Sequence, residues 1–434
     1  MITVKSVWAE ETLIGFPQLR SNIKTDVLII GGGMAGLLCG YRLQNAGVSC
    51  VIAEAAAVAG GITKNTTAKV TSQHGLCYSK LLSRFGTGIA GMYLEANAQA
   101  LEQLRRLGKQ IDCDWKDQDN FIYSTADLQT LGAELSALET LGSPAQWANH
   151  LPLPFPTLGA VRFPRQGQFH PLKFLNAILP MLTVYEHTPV RQLVKNKAIT
   201  DFGSITAEKI IVATHFPFLN KHGSYFLKLY QQRSYVIALE NAPIPEGMYL
   251  EENGLSFRSY GSSLLLGGGG HRTGKPGGGW RELDEKARRF YPQAKIISRW
   301  AAQDCMSLDG IPYIGQYSAR TGNLYVATGF NKWGMTSSMV AANLLTDLIL
   351  EKQNPYTEVF SPSRSMLHPQ LGINLMESTR NLLSLSPKRC PHLGCALKWN
   401  PQEHSWDCPC HGSRFTEDGV LIDNPAAGDL KKQA

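Results

Sequence analysis

One glycine-rich turn, set between a predicted strand and a predicted helix, constrains the fold of this chain most strongly. Residues 26–30 read DVLII, a β-branched apolar run that is typical of a buried parallel strand. The sequence GGGMAG follows at residues 31–36, and residues 37–46 then show helical spacing. A second apolar run over residues 48–53 ends at Glu54. The pattern predicts a βαβ unit, and hence an α/β lobe of the Rossmann type.

The three motif glycines and the acidic residue each have a mechanical role in binding a dinucleotide. Gly31 permits a tight turn, Gly33 lets the backbone approach a pyrophosphate, and Gly36 lets the helix pack closely on the strand. The helix N-terminus attracts the phosphates, and Glu54 accepts a hydrogen bond from a ribose hydroxyl. A glycine-rich turn without a ligand is the alternative, but the strand, the helix and the acid together favour a dinucleotide site.

Elements further along the chain favour FAD over a nicotinamide cofactor. Apolar runs over residues 209–213 and 324–327 end in Thr214 and in Thr328-Gly329, and a Gly-Gly-x-Thr loop follows the βαβ unit at residues 60–63. Strand ends that are dispersed along the chain suit one long FAD in an extended form. We find no second GxGxxG motif with a strand and a helix around it, so a separate nicotinamide domain is not expected.

Four of the nine cysteines lie near the C-terminus and form a second motif with chemical meaning. Residues 390–395 read CPHLGC, and residues 408–413 read CPCHGS. Two thiolates on one iron and two imidazoles on the other suit a Rieske [2Fe–2S] cluster. A structural Cys₂His₂ zinc site is the alternative, and the full HLGC and CPCHGS pattern favours the iron–sulfur cluster. The predicted ligands are Cys390 and Cys408 for one iron, and His392 and His411 for the other.

With these motifs the chain resembles the D-amino-acid-oxidase-like FAD oxidoreductases, which include glycine and sarcosine oxidases. The resemblance covers about residues 20–355 and is carried by DVLIIGGGMAGLLCGYRL, GGITKNTTAKVTSQHG, DGIPYIG and LYVATGFNKWGMTSS. It implies an α/β FAD-binding lobe of the Rossmann type, interrupted by an α+β substrate lobe on an antiparallel sheet. A small all-β Rieske-like module follows. Some relatives attach the flavin to a histidine after Gly-Gly-x-Thr, but residues 62–65 read ITKN, so we expect non-covalent FAD.

The resemblance also implies domain boundaries. They are residues 1–90, 150–225 and 300–355 for the FAD-binding lobe, 91–149 and 226–299 for the substrate lobe, 356–380 for a linker, and 381–434 for the Rieske-like module. Relatives that fuse a Rieske domain to this oxidoreductase place several strands before the first cluster loop, where this chain has only residues 384–389. We therefore expect a truncated module, and either the oxidoreductase body or a second subunit supports it, or its binding of the cluster is impaired.

Resemblance to the high-potential Rieske proteins implies two further features. Cys395 and Cys410 match the pair that forms a disulfide between the two cluster loops in those proteins. A tyrosine four residues after the second histidine donates a hydrogen bond to a cluster cysteine there, and Phe415 stands at that position here. Ser413 retains the other expected donor. Because one donor is missing, we expect a lower reduction potential.

The same fold analogy predicts which residues contact the cofactor and the substrate. Expected cofactor contacts come from the glycine-rich turn, the ribose acid, the loop after it and the later strand ends: Gly31, Gly33, Met34, Ala35, Gly36, Glu54, Gly61, Thr63, Thr67, Lys69, Gln73, Thr214, Gly329, Gly334, Met335 and Thr336. Candidate substrate-orienting side chains are Tyr235, Arg258, Tyr260 and Lys332. A packing or surface role is an equally good interpretation of each of these four, because such residues are common on antiparallel sheets.

The resemblance implies an FAD-dependent oxidoreductase that dehydrogenates a small amine or amino acid by hydride transfer to flavin. The cluster predicts that the electrons then pass singly to the [2Fe–2S] centre and on to an unidentified acceptor. The alternative is an auxiliary flavin and iron–sulfur carrier, which relays electrons from a partner and has no small amine substrate.

Charge and hydropathy exclude several other classes of protein. The net charge of +7 is spread without a Lys/Arg block, so we expect no nucleic-acid partner. The longest apolar stretch, residues 27–41, is too short and too glycine-rich to be an integral membrane segment, and a cytoplasmic location is predicted. Residues 269–275 resemble a phosphate-binding P-loop, but Pro276 replaces the hydroxyl residue that holds magnesium. We predict a mobile loop over residues 267–279, beside the substrate lobe.

Overall fold

The computed structural model describes residues 3–252 and 254–431, so the extreme ends of the predicted outer domains lie outside the described residues. The strands are β1 (Asn22–Ile30), β2 (Cys50–Ala53), β3 (Lys69–Val70), β4 (Lys116–Ser124), β5 (Gln146–Ala148), β6 (Gly159–Gln168), β7 (Val184–Tyr185), β8 (Gln192–Val194), β9 (Lys197–Ile199), β10 (Ser204–Val212), β11 (Leu229–Glu240), β12 (Met248–Glu251), β13 (Ser256–Tyr260), β14 (Ser263–Arg272), β15 (Lys295–Ser307), β16 (Tyr313–Gln316), β17 (Leu324–Thr328), β18 (Lys398–Asn400), β19 (Ser405–Asp407), β20 (Arg414–Thr416) and β21 (Leu421–Asp423). The helices are α1 (Met34–Asn45), α2 (Tyr78–Gln110), α3 (Leu128–Thr140), α4 (Pro171–Ile178), α5 (Tyr225–Lys228), α6 (Gly279–Phe290), α7 (Gly334–Ile349), α8 (Thr357–Phe360) and α9 (Pro369–Leu383), with short 3-10 turns at Val7–Glu10, Ile62–Asn65 and Leu179–Met181.

A mainly parallel sheet carries the predicted βαβ unit. Its strands run in the order β16-β17-β10-β1-β2-β7, and β9 and β8 continue from β10. β1 pairs in parallel with both β10 and β2, and its last four residues are buried. Such an apolar run is stable because helices cover both faces of a parallel sheet. Here α1 begins directly after β1 and packs against α7, in agreement with the predicted Rossmann-type lobe.

A mainly antiparallel sheet forms the second lobe, in the order β15-β11-β14-β13-β12-β4-β6-β3 with β5 paired to β6. β6 lies within residues 150–225, and most of β15 lies within residues 300–355. Both ranges were assigned above to the FAD-binding lobe. The predicted boundaries are wrong for these strands, because β6 pairs along its length with β4, and β15 pairs with β11. Pairing between strands so distant in sequence leaves no local pattern from which a boundary can be derived.

The C-terminal module is a small antiparallel sheet in the order β18-β19-β20-β21, with three residues in each strand. Ahead of it, α9 occupies residues that were predicted to be linker, and that prediction is wrong. His368 caps the helix by accepting a hydrogen bond from the Gln370 N–H at 3.1 Å, and Pro369 takes the first helical position. No helix among the described residues combines the length and the apolar character that a membrane crossing requires.

Candidate functional site

A cavity of about 1220 Å³ lies between the two lobes. Residues after the carboxyl ends of β1, β10 and β17 contribute to its wall, which is where open parallel sheets bind their ligands. Most of the predicted cofactor residues line it: Gly31, Gly33, Met34, Ala35, Glu54, Gly61, Thr63, Thr67, Lys69, Thr214, Gly329, Gly334 and Met335.

The glycine-rich turn has the geometry that the dinucleotide motif requires. Gly31 has φ +112°, and a Cβ there would lie 2.5 Å from the carbonyl oxygen of Ala213, so only glycine fits. A Cβ on Gly36 would overlap the carbonyl oxygen of Gly31. Gly36 therefore brings α1 against β1 and does not itself line the cavity. A Cβ on Gly33 would meet only the Thr63 hydroxyl, at 3.4 Å, and would occupy space at the cavity wall.

Two side chains hold this turn in place. Glu54 Oε2 accepts a hydrogen bond from the Gly32 N–H at 2.6 Å, and Thr63 Oγ1 accepts one from the Met34 N–H at 3.0 Å. Both side chains lie at the cavity wall beside the N-terminus of α1. The helix terminus offers N–H groups to phosphates, and Glu54 lies at the end of β2 as the ribose-binding residue of the motif does. The residues present therefore fit FAD.

Lys69 is the predicted cofactor residue with the most altered chemistry. Its side chain is half-buried, lines the cavity and lies 3.5 Å from the Thr67 hydroxyl. Burial, and to a smaller extent the charge of Arg258, lowers the pKa of Lys69 to about 7. An amine in this state exchanges a proton readily near neutral pH.

Besides Gly36, two further predicted cofactor residues are not part of the cavity wall. Gln73 is fully buried in the antiparallel lobe, where it donates to the Val161 carbonyl at 3.0 Å and accepts from the Asn120 amide at 2.7 Å. Thr336 is buried one turn into α7 and donates to the Thr71 carbonyl at 3.0 Å. Both predictions are corrected, because these polar groups are already hydrogen-bonded to protein partners away from the wall.

Of the four predicted substrate-orienting residues, two line the cavity and two lie outside its wall. Lys332 is exposed and lines the cavity, and Tyr235 forms part of its wall. Arg258 is buried outside the cavity wall, donates to the carbonyls of Thr67 and Phe169 and stacks on a tryptophan ring. Its role as a substrate anchor is therefore corrected to packing.

Tyr260 also lies outside the cavity wall. Its ring contacts Trp8 and His170, and its hydroxyl faces Asp114 at 3.4 Å. The prediction that it orients substrate is corrected. Strand alternation predicted that Tyr260 and Arg258 lie on a sheet, but not which face of that sheet meets the cavity.

Asp304 is a wall residue that the sequence analysis missed. It lies on β15, is half-buried and lines the cavity, where the Ser234 hydroxyl donates to it at 3.2 Å. The Asn331 N–H donates to the carbonyl of Cys305 at 3.0 Å, which holds the Lys332 loop against the same strand. A carboxylate and an ammonium group thus lie on adjoining segments of the wall. The alternation of β15 places Asp304 on one face of the sheet but does not show that this face meets the cavity, so the sequence alone did not indicate Asp304.

The four predicted iron ligands come together at the end of the small module. The thiols of Cys390 and Cys408 share a hydrogen bond. This hydrogen bond lowers the pKa of Cys390, although burial opposes the shift, and it raises the pKa of Cys408. The rings of His392 and His411 lie 4.9 Å apart between centroids and at 90° to each other. The predicted ligands thus form two pairs, one of thiols and one of imidazoles, whereas the sulfurs that lie within 4.8 Å of one another are those of Cys395, Cys408 and Cys410.

Both histidines are in the state that a metal ligand needs. Burial lowers the pKa of His392 to about 4 and, with smaller contributions from the charges of His392 and Arg272, that of His411 to about 3, so both rings are neutral. His392 Nε2 lies 2.9 Å from the Asn220 amide oxygen, which makes Nε2 the donor. Nδ1 is buried and has no hydrogen-bond partner among the described residues. A free lone pair at this position fits a cluster iron, and sequence gave no signal for Asn220.

The two remaining cysteines of the motif pair as predicted. Cys395 and Cys410 form a disulfide that joins the two cluster loops. Their sulfurs lie within 4.8 Å of the Cys408 sulfur, so the disulfide adjoins the ligand set. The Ser413 hydroxyl contributes to lowering the pKa of Cys390, which is consistent with its predicted role as a donor to the cluster region. Phe415 is buried in the core of the module.

The oxidoreductase body supports the module. Gln231 on β11 donates to the His411 carbonyl at 2.9 Å, and Gln303 on β15 donates to the Gly412 carbonyl at 2.9 Å. Asn424 donates to the Thr214 carbonyl at 2.7 Å, beside the cavity. These contacts agree with the alternative in which the oxidoreductase body supports the shortened module.

Comparisons with known proteins agree with this two-part organisation. Residues 26–348 match the family model described as FAD dependent oxidoreductase, and residues 373–433 match the Rieske [2Fe-2S] domain. A protein of Bacillus subtilis described as the Rieske 2Fe-2S iron-sulfur protein YhfW is 34% identical over 494 residues, which cover 99% of this chain and 97% of that protein. Gamma-glutamylputrescine oxidoreductase of Escherichia coli is 24% identical over 372 residues, or 77% of this chain and 85% of that protein. The crystal structure of glycine oxidase from Geobacillus kaustophilus is similar with a TM-score of 0.67 at 21% identity, covering 79% of this chain and 99% of the other. The predicted resemblance and fold class are confirmed.

Proposed function

We propose that this chain, which belongs to the family of FAD dependent oxidoreductases, oxidises a small amine or amino acid and passes the electrons to its own Rieske cluster. One observation carries the proposal: the module completes the wall of the cavity. Residues 421–424 with Ala426 and Ala427, all from the module, line the same cavity as the glycine-rich turn. An oxidoreductase site and a one-electron centre thus share a boundary within one chain.

The chemistry of the two groups suits this order of events. Bound FAD supplies a two-electron hydride acceptor, and a bound [2Fe–2S] cluster supplies a one-electron acceptor. The relatives support the substrate class by their names, since gamma-glutamylputrescine oxidoreductase and glycine oxidase are named for an amine and an amino acid. The acceptor beyond the cluster is an unidentified partner, and the cytoplasmic location stays a prediction.

The cavity wall offers complementary charges for an amino acid. We assign the carboxylate of Asp304 to the substrate ammonium and the ammonium of Lys332 to the substrate carboxylate, because both line the cavity on adjoining segments. Asp304 has only a hydroxyl donor as its hydrogen-bond partner among the described residues, so its charge is available. The assigned role of both residues is to orient the reacting carbon and not to transfer electrons.

The cofactor residues are part of the same proposal. Glu54 and Thr63 hold the turn at the N-terminus of α1, where the phosphates of FAD would bind. Cys390, Cys408, His392 and His411 would hold the cluster. The module residues 421–424, Ala426 and Ala427 line the same cavity and would limit the access of water on that side.

The test is anaerobic mixing of the purified holoprotein with a panel of amines, amino acids and reduced electron carriers. We expect one amine or amino acid to bleach the flavin and then to produce the paramagnetic signal of a reduced Rieske cluster. Asp304→Asn is the matched variant, since it removes the carboxylate without changing the size of the side chain. Bleaching of both proteins by the same substrate at the same concentration would contradict the role of Asp304.

An electron relay without a small substrate is a second candidate, and one observation favours it. Tyr235, which was expected to face the substrate, directs its hydroxyl to Glu403 of the module at 2.9 Å, while Arg258 and Tyr260 lie outside the cavity wall. The substrate lobe would then act mainly as a docking surface. Bleaching by reduced carriers alone, with no response to any amine or amino acid, would support this function.

A further inference from the structure

Two neighbouring strands separate the cavity from the cluster loops. Along β11, Tyr230 and Gln232 line the cavity, whereas Gln231 between them faces the module. Along β15, Asp304 lines the cavity and Gln303 faces the module. Side chains alternate between the two faces of a sheet, so a single layer of backbone lies between the cavity and the second cluster loop.

The second cluster loop sits closely on this partition. Gly412 has φ +86°, and a Cβ there would lie 2.6 Å from the Cβ of Gln231, so no side chain fits between loop and strand. The amides of Gln231 and Gln303 bind the carbonyl oxygens of His411 and Gly412. The loop that carries a histidine ligand is therefore positioned by the oxidoreductase body.

The glycine-rich segment that resembles a P-loop also contacts the second cluster loop, and with β11 and β15 it forms the surface that supports this loop, the seat of the module. Gly274 has φ +72°, and a Cβ there would lie 2.7 Å from the backbone nitrogen of Pro409 in the second cluster loop. A Cβ on Gly279 would overlap the side chain of Gln402. Gly274 allows the two backbones to approach and Gly279 leaves room for the Gln402 side chain, which explains both glycines without a phosphate ligand.

Arg272, at the end of β14, joins this seat to the cluster loop. Its guanidinium donates to the Pro409 carbonyl at 3.1 Å and to the Cys410 carbonyl at 3.2 Å. Both carbonyls lie between the predicted ligands Cys408 and His411. A third donation goes to the Asn374 amide oxygen at 3.0 Å, and the guanidinium lies 4.9 Å from the ring centroid of Tyr230.

The charge of Arg272 is not compensated in the way that its neighbours' charges are. Arg233 and Arg414 both bind the carboxylate of Glu403. Within residues 3–252 and 254–431, no carboxylate forms an ion pair with Arg272, and its acceptors are carbonyl and amide oxygens. The carboxylate of Glu377 acts on the charge of Arg272 without an ion pair and is itself paired with Lys275, so the charge of this half-buried cation beside the cluster loops is only partly offset.

We propose that Arg272 is a positioning residue of the cluster, which holds the second loop through two carbonyl oxygens and raises the reduction potential of the cluster by its charge. The proposal rests on the cluster assigned above. Reduction adds one negative charge to the cluster, so a nearby cation stabilises the reduced state more than the oxidised one. The body of the oxidoreductase thereby sets the potential of the acceptor that it is proposed to reduce.

The experiment is a redox titration of the full-length holoprotein, in which the cluster is followed by its paramagnetic signal and the flavin by its absorbance. For Arg272→Met we expect the reduction equilibrium constant of the cluster to fall about tenfold, the order expected when a hydrogen-bonding charge is lost, which is 59 mV for a one-electron couple. Arg272→Lys retains the charge and loses the two-pronged geometry, so its shift should be smaller. The flavin potential should stay unchanged.

Arg299→Met is the matched control, because Arg299 also lies on the antiparallel sheet but contacts Asp284 and Trp280, away from the cluster loops. A cluster potential in Arg272→Met equal to that of the control overturns the proposal. Loss of the cluster signal with retention of FAD supports the positioning role, and Arg272→Lys then decides the effect of charge. A wild-type holoprotein without any Rieske signal would instead refute the proposed function.

Discussion

Replacement of Glu403 by glutamine should release the Rieske module from the substrate lobe. Glu403 lies in the module after β18, and its carboxylate binds Arg233 of β11, with Nε–Oε1 at 3.0 Å. It also accepts from the Tyr235 hydroxyl at 2.9 Å and from Arg414 of the module at 2.9 Å. The side chains of Glu403 and Arg233 are only 9% and 4% exposed, so this ion pair is buried at the junction.

The loss of stability caused by Glu403→Gln depends on which arginine loses its carboxylate partner. Arg414 keeps two carboxylates, Asp407 at 3.0 Å and Asp423 at 3.1 Å, so its loss is small. Arg233 has Glu403 as its one carboxylate partner among the described residues. Removing one member of a buried pair costs about 3–5 kcal/mol, because an unpaired charge stays buried. Since the glutamine oxygen can still accept from Tyr235, we expect a loss near the lower end, about 3 kcal/mol.

The assay is urea unfolding of the holoprotein, followed separately by the visible circular dichroism of the cluster and by flavin fluorescence. Glu403→Gln should lower the midpoint of the cluster transition and leave the flavin transition nearly unchanged. Adding Arg233→Met to Glu403→Gln removes the stranded charge and should restore part of the lost stability. A double variant that is no more stable than the sum of the two single effects would refute the reasoning about a buried pair.

Four further outcomes are expected. Gly31→Ala should yield protein without bound FAD, seen as loss of the flavin absorbance, because its Cβ would collide with backbone 2.5 Å away. Cys395→Ser should lower the stability of the cluster region to urea by about 3 kcal/mol, since its disulfide closes a loop with a sequence separation of 15. Asp304→Asn and Lys332→Met should each raise the KM for the substrate that bleaches the flavin, roughly tenfold or more, with a smaller change in kcat. Burial opposes ionisation of Glu403, but its arginine partners lower its pKa below the ordinary value, so the junction should be fully stable above about pH 5 and weaken as the pH falls below about 4.3 and through the folded pKa.

The parts of the site that depend on local sequence were predictable. The dinucleotide turn is a contiguous segment in which Gly31 and Gly36 are required by close contacts with the carbonyl oxygens of Ala213 and Gly31, while Gly33 leaves space at the cavity wall. The predicted cluster ligands lie in two short loops with fixed spacing, and the ligands come together once the two loops are in contact. Both motifs specify their local geometry within a few residues, so a cofactor site and a cluster site could be predicted from sequence without knowledge of the long-range strand pairing.

Residues whose role depends on the packing of distant strands were not predictable in the same way. Arg258 and Tyr260 lie on β13 and Asp304 on β15, and strand alternation assigns each to one of two faces without saying which face meets the cavity. Gln73 lies in the loop that was expected to contact the cofactor, but its side chain accepts a hydrogen bond from Asn120 on β4. Such partners come from long-range pairing, which no local pattern records.

The size of the module explains why it is docked and why its seat was the least predictable feature. Four strands of three residues each bury little apolar surface, and a unit this small needs a disulfide, a metal centre or a partner surface to be stable. The disulfide was expected from the resemblance to the high-potential Rieske proteins and the cluster ligands were predicted from their motif, whereas the partner surface is built from Gln231, Gln303 and Arg272 on three strands of the substrate lobe. Because that lobe replaces the missing supporting sheet, changes on the lobe should alter the cluster, and a redox titration of a substrate-lobe variant is the measurement in which this dependence becomes visible.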